Sequence, residues 1–157
     1  EKIELIKDKF NFDEGINYKT TENMEKAISS AAPNGVDVYF DNVGGEILDA
    51  TLQNINRNGR VINCGAISQY NKKEMPKGPR VEGVLIKKSV KMQGFTVQND
   101  FGDRFQEGSK KLAQWLQEGK LNYEETIQEG FKNVPQAFID LFSGKNQGKM
   151  VVKVSDE

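Results

Sequence analysis

The 157-residue chain has no histidine and a single cysteine, Cys64. Without histidine, this segment cannot build a Ser-His-Asp or Cys-His nucleophile system. Nor can it build a zinc site from Cys and His ligands, so no metal site is expected. One cysteine forbids an intrachain disulfide, which is consistent with a reducing, cytoplasmic setting. No run approaches the roughly 18 apolar residues of a membrane span. The opening Glu1-Lys-Ile-Glu-Leu lacks the apolar core of a signal peptide. A net charge of −1 leaves no global field to draw in nucleic acid or an anionic membrane. Lys72, Lys73, Lys77 and Arg80 form only a loose loop patch without interleaved aromatics, so no nucleic-acid partner is expected.

What is present suits a soluble globular chain, 36% hydrophobic and 29% charged, and its length suits one domain. The most informative run is Val36-Asp-Val-Tyr-Phe-Asp-Asn-Val-Gly-Gly45. An apolar strand (36–43) runs into Asp-Asn and two glycines, then into a helix over 46–56 with Ile47, Leu48, Leu52 and Ile55 at core spacing. Asn58-Gly59 reads as the left-handed cap of that helix, and 60–66 as the next strand. Strand–helix–strand units build parallel sheets, and ligands sit at the carboxyl ends of such strands.

Around this unit, 2–9 reads as a helix end and 15–19 as a short strand. The next helix opens near Thr21 or Asn23 as cap. The stretch 70–80 reads as a Lys-, Pro- and Gly-rich surface loop. A short helix is predicted over 81–87 and a strand over 91–97. A long amphipathic helix follows over 103–118, with Phe105, Leu112, Trp115 and Leu116 turned inward as core. Asn133 and Pro135 open a last helix that Gly144 ends, and 149–154 is a final strand. The alternation predicts a doubly wound α/β domain.

Four segments lie in register with a known pattern: Tyr39-Phe-Asp-Asn-Val-Gly-Gly45, Cys64-Gly-Ala-Ile-Ser-Gln-Tyr-Asn71, Glu129-Gly-Phe131 and Gly148-Lys149. Together they resemble the zinc-independent medium-chain dehydrogenase/reductase family, in its prostaglandin reductase and alkenal double-bond reductase branch. The resemblance covers almost the whole chain. It implies an α/β fold, a partial doubly wound Rossmann-type parallel sheet lacking its first two strands, with 1–157 as one partial NADP-binding domain. Residues 145–157 would be the final strand returning towards a catalytic domain. No G-x-G-x-x-G phosphate loop occurs in these residues. The chain is therefore expected to correspond to the carboxyl half of an enzyme, and to be inactive alone.

The implied activity is NADPH-dependent reduction of the C=C bond of α,β-unsaturated aldehydes and ketones. A quinone reductase of the same superfamily, or a non-catalytic self-associating nucleotide-binding module, are the alternatives. The resemblance implies a homodimer through the sheet edge near Lys91–Val97; the alternative is the exposed strand Val36–Val43, because an unpaired edge invites another chain.

The resemblance also assigns residues. Lys2 and Tyr18 would hold the 2′-phosphate of NADPH, although residue types alone fit a solvated lysine and a half-buried tyrosine. Asn42 and Gly44 would line the cofactor groove, though Asp41-Asn42 is also a natural strand-ending turn. Cys64, Gly65, Ala66, Ile67 and Ser68 would form its second loop, with Cys64 otherwise a small buried hydrophobe. Phe95, Thr96 and Val97 would pass beside the nicotinamide amide. Asn146 would reach the cofactor from the final loop, or simply make a turn. Tyr70 is the catalytic candidate: its phenol could stabilise the charge that gathers on the substrate carbonyl oxygen. Without the resemblance it is a loop tyrosine covering apolar surface.

Overall fold

The computed structural model describes residues 1–74 and 76–155. Met75, inside the expected 70–80 loop, lies outside the described residues. The chain divides into two compact units, Glu14–Gln106 and Glu1–Asp13 with Glu107–Glu157.

The unit Glu14–Gln106 is built on a three-stranded parallel sheet, β1 (Val36–Asp41), β2 (Ile55–Asn63) and β3 (Lys91–Gly94), in the order β1-β2-β3. Helix α3 (Gly45–Asn54) links β1 to β2 and α4 (Glu82–Lys88) precedes β3. Parallel strands need such crossovers, and the apolar spacing of each helix supplies the face that packs on the sheet. The core is Leu52, Ile55 and Val61, each 1% exposed, ringed by Val36, Tyr39, Leu48, Val84, Leu85 and Met92. Helix α2 (Met24–Ala31) is capped by Asn23, whose side chain accepts from the Lys26 N–H at 2.9 Å. The Asn54 amide joins α3 to α2 by donating to the Glu25 carbonyl at 3.0 Å.

Several expectations change here. The segment 15–19 is not a strand: Asn17 folds it into a turn, its side chain accepting from the Lys19 N–H and its carbonyl from the N–H groups of Thr20 and Thr21. Local bonds of this kind win where no neighbouring strand offers a ladder. Helix α3 ends at Asn54, not at Asn58-Gly59. Asn58 does adopt the left-handed conformation (φ 63°), but within β2, where the register jumps between Val36 and Val38 and the extra residues bulge out. Strand β2 stops at Asn63 and β3 at Gly94. Thr96 then becomes the N-cap and Val97 the first residue of α5 (Val97–Phe101), so neither extends the strand.

In the other unit, β4 (Glu125–Glu129), which the pattern did not announce, pairs in parallel with β5 (Lys149–Lys153). Helix α7 (Val134–Phe142) carries Pro135 in its first turn as expected, but the Asn133 amide donates to the Glu129 carbonyl rather than capping the helix. Buried Asp140 on α7 accepts from Lys145 at 2.8 Å and Gln136 at 2.9 Å. These partners, Lys145 foremost, hold its carboxyl below the usual carboxylate range. Helix α1 (Lys2–Asp8) is joined to this unit by the Asn122 amide, which donates to the Lys9 carbonyl, and by the Lys9–Glu124 ion pair.

Helix α6 (Phe105–Gln117) forms where the periodicity placed it, but its apolar side is not core: Phe105 is 65% and Leu112 54% exposed. The Lys111 ammonium sits 5.4 Å over the Trp115 ring. Periodicity says which side of a helix is apolar, not what covers it.

Leu52→Ala should lower the unfolding free energy by about 2–5 kcal/mol, the cost of deleting a fully buried leucine at the sheet–helix contact. Urea unfolding followed by circular dichroism checks this, and a loss below about 1 kcal/mol would place the core elsewhere.

Candidate active site

Register brings Asp41, Asn63 and Gly94 to one level at the carboxyl ends of β1, β2 and β3. Beyond them the chain opens into three loops, which surround a groove of about 610 Å³. Its lining includes Gly44, Cys64, Gly65, Ala66, Tyr70, Phe95 and Thr96, so seven of the expected site residues converge on one space. Small residues dominate, and a flat ligand could approach the backbone closely.

The first two loops are laced together. Cys64 and Gly65 donate their N–H groups to the Asp41 carbonyl, Ile67 to that of Asn42 and Ser68 to that of Val43. The Ser68 hydroxyl adds a bond to the same Val43 carbonyl at 2.6 Å. Gly44 sits at φ 67°, ψ −162°, a backbone that side-chain-bearing residues rarely adopt. Any Cβ on Gly65 would lie 3.1 Å from the Tyr70 hydroxyl, so the absence of a side chain there lets the phenol seat against the backbone.

The Tyr70 oxygen accepts from the Ala66 N–H at 3.0 Å. Its own proton has no acceptor among the described residues, and the side chain is 66% exposed. The phenol is thus oriented by the loop while its O–H remains available to an incoming acceptor. Cys64 is exposed in the groove rather than a buried hydrophobe. Phe95 is wedged edge-on between Phe40 and Phe101, with ring centroids 6.0 and 5.6 Å away. The Thr96 N–H is occupied by the Asp100 carboxylate at 2.8 Å.

Other expected residues fall elsewhere. Ile67, Ser68 and Tyr18 line a neighbouring hollow of about 640 Å³ that shares Gly44 with the groove. Asn42 is exposed and takes part through its carbonyl, and Val97 is exposed on α5. Lys2 and Asn146 belong to the other unit, where the Lys2 ammonium donates to the Gly144 carbonyl at 2.6 Å and the Asn146 amide to that of Gly148 at 2.6 Å.

Sequence reasoning passed over Asp41 and Asn63. Asp41 is fully buried; its Oδ1 accepts from the Tyr39 hydroxyl and from the N–H groups of Val43 and Gly44, all at 2.9 Å. Its Oδ2 accepts from the Asn63 amide at 3.0 Å. The available signal was strand alternation: Asp41 lies two residues from Tyr39, on the face turned to the interior.

The family model described as "Zinc-binding dehydrogenase" matches residues 10–152. The chain belongs to that family. YfmJ of Bacillus subtilis is 55% identical over 158 residues, covering 99% of this chain and 46% of its own length. Prostaglandin reductase 1 of Bos taurus is 44% identical over 154 residues (98% and 46%). The NADPH-dependent curcumin reductase of Escherichia coli is 38% identical over 140 residues (87% and 41%). The crystal structure of CurA in complex with NADPH from Vibrio vulnificus superposes with a TM-score of 0.89 at 39% identity, over 99% of this chain and 47% of that one. The resemblance to medium-chain dehydrogenases/reductases, in the carboxyl-terminal half of the pattern, is thereby borne out, as is the α/β Rossmann-type class. The chain spans about half the length of the curated relatives it matches. Although the family's description names zinc, no group of three or more His, Cys, Asp or Glu side chains is placed to hold a metal among the described residues.

Burial, and then the adjoining Asp41 carboxylate, push the Tyr39 phenol far above its ordinary value. An unfolded tyrosine ionises near pH 10, whereas Tyr39 keeps its proton in the fold. Above that pH the folded state therefore binds more protons than the unfolded one. The stability this contributes is complete below about pH 10 and declines as pH rises further. Tyr39→Phe should flatten the alkaline limb of the melting-temperature profile; an unchanged limb would mean that Tyr39 ionises as readily as in the unfolded chain.

Proposed function

We propose that this chain carries the cofactor-binding part of an NADPH-dependent, zinc-independent oxidoreductase that reduces the C=C bond of α,β-unsaturated aldehydes and ketones. The observation that carries the reading is the groove at the carboxyl ends of β1–β3, with the oriented Tyr70 phenol at its rim. NADPH-dependent relatives of 38–39% identity support the cofactor. The fit is favourable: Gly44, Gly65, Ala66 and Gly94 leave room for a ribose and a flat ring beside the backbone.

The bound cofactor would supply hydride. As the substrate β-carbon accepts it, the C=C electron pair moves towards the carbonyl, and negative charge gathers on the carbonyl oxygen. Tyr70 donates its O–H towards that oxygen, while its own oxygen is held by the Ala66 N–H. The α-carbon then takes a proton from water. Phe40, Phe95 and Phe101 form an apolar flank beside the groove, and the small residues at its floor set how closely a ring can approach.

We further propose that 1–157 serves as one cofactor-binding domain of a cytoplasmic protein. Tyr18, which lines the hollow beside the groove, would supply a hydroxyl for the 2′-phosphate. Dimerisation would use an edge of the three-stranded sheet, where, among the described residues, β1 and β3 each pair with β2 alone.

Fluorescence titration of the chain with NADPH tests the binding role: saturation in the micromolar range is expected, and no binding at millimolar cofactor would defeat it. In the whole enzyme, Tyr70→Phe should lower the rate of NADPH oxidation by a simple enone by about 10²-fold, the usual loss for one oxyanion donor. An unchanged rate would remove Tyr70 from the mechanism. Tyr18→Phe there should weaken NADPH more than NADH, and equal losses would defeat the phosphate assignment.

A further inference from the structure

The groove depends on a buried group with no chemical step of its own. Asp41 is 0% exposed, and both carboxylate oxygens are engaged. It borders the groove but exposes neither oxygen to it, so it is no general base. Apart from the bond it accepts from the Tyr39 hydroxyl, its bonds run to the parts that shape the groove. Oδ1 gathers two consecutive N–H groups, Val43 and Gly44, which fixes the positive-φ turn at Gly44. Oδ2 fastens Asn63, its register partner at the end of β2, from which the second loop departs. The Asp41 backbone carbonyl takes the Cys64 and Gly65 N–H groups. One residue therefore sets both loops.

We infer that Asp41 is the positioning residue of this site: it presets the 42–45 and 64–70 loops in the geometry that receives the dinucleotide. The inference rests on the cofactor-binding reading above and deepens it. A groove that must order its loops only on binding loses affinity by the cost of that ordering, and Asp41 removes this cost in advance. The acceptor at Oδ1 matters more than the charge, because two of its three donors are neutral amides of the turn itself.

NADPH titration of the 157-residue chain and three variants tests this. Asp41→Ala should weaken binding at least about ten-fold. Asp41→Asn retains an oxygen for Val43 and Gly44, and the Asn63 amide can turn over to accept from the new side-chain N–H, so binding should stay within about three-fold of the unsubstituted chain. Ile55→Val, a core change outside the groove, should lower the melting temperature and leave affinity unchanged. Unchanged affinity in Asp41→Ala would overturn the inference, as would equal losses in Asp41→Asn or in Ile55→Val.

Should the unsubstituted chain fail to bind NADPH, the cofactor-binding role fails, and amide exchange decides the positioning of the loops by itself. Asp41→Ala should then speed exchange at Val43, Gly44 and Cys64–Ser68 about ten-fold or more, while the Val61 and Ile62 amides of β2 keep their protection. Unaltered exchange in the loops would overturn the inference, and equal acceleration in β2 would reduce Asp41 to a general stabiliser.

Discussion

A carboxylate taken out of water must find a donor for each of its oxygens, or the segment that carries it will not stay folded. Asp41 meets this demand at the end of β1, and the way it does so shapes everything beyond the strand. Its partners are a phenol from the same strand, two amides of the following turn and an amide side chain from β2. Satisfying the charge and forming the groove are one event. The helix that follows starts at Gly45 because the turn before it is already fixed at Gly44.

The parallel sheet supplies the rest. In such a sheet every strand leaves in the same direction, so the loops that follow them gather at one edge. Here that edge collects the Gly44 turn, the Cys64–Tyr70 loop and the Phe95–Asp100 segment around one space. The crossover helices hold the strands from behind through Leu52, Ile55 and Val61. The chain belongs to the zinc-binding dehydrogenase family and is similar to a curcumin reductase named as NADPH-dependent.

The sequence was most legible where local and tertiary demands agree. Strand β1, helix α3 and the short loop between them are encoded by β-branched and aromatic residues, a 3.6-residue apolar period and two glycines. Legibility failed where a segment needed a partner. Residues 15–19 have the composition of a strand, yet Asn17 turns them by local bonds. Helix α6 carries the amphipathic pattern of a core helix with its apolar side exposed. Asn58 adopts the left-handed conformation of a cap, but in a bulge of β2, because register with β1 decides where the extra residues go.

For the site, the strand–helix–strand spacing pointed to the loops at the carboxyl ends of the strands, whereas the family resemblance, not residue type, assigned the lining residues, Tyr70 among them. The sequence by itself determined the α/β alternation, the exclusion of histidine chemistry and the family motifs, because these reside in residue identity and spacing. The tertiary structure alone decided that Tyr70 is oriented by the Ala66 N–H, that Cys64 is exposed, and that Asp41 rather than Asn42 is the hub of the turn. Those outcomes depend on which groups meet across strands far apart in the chain, and hydrogen-bond satisfaction in a buried place is a property of the neighbours, not of the residue.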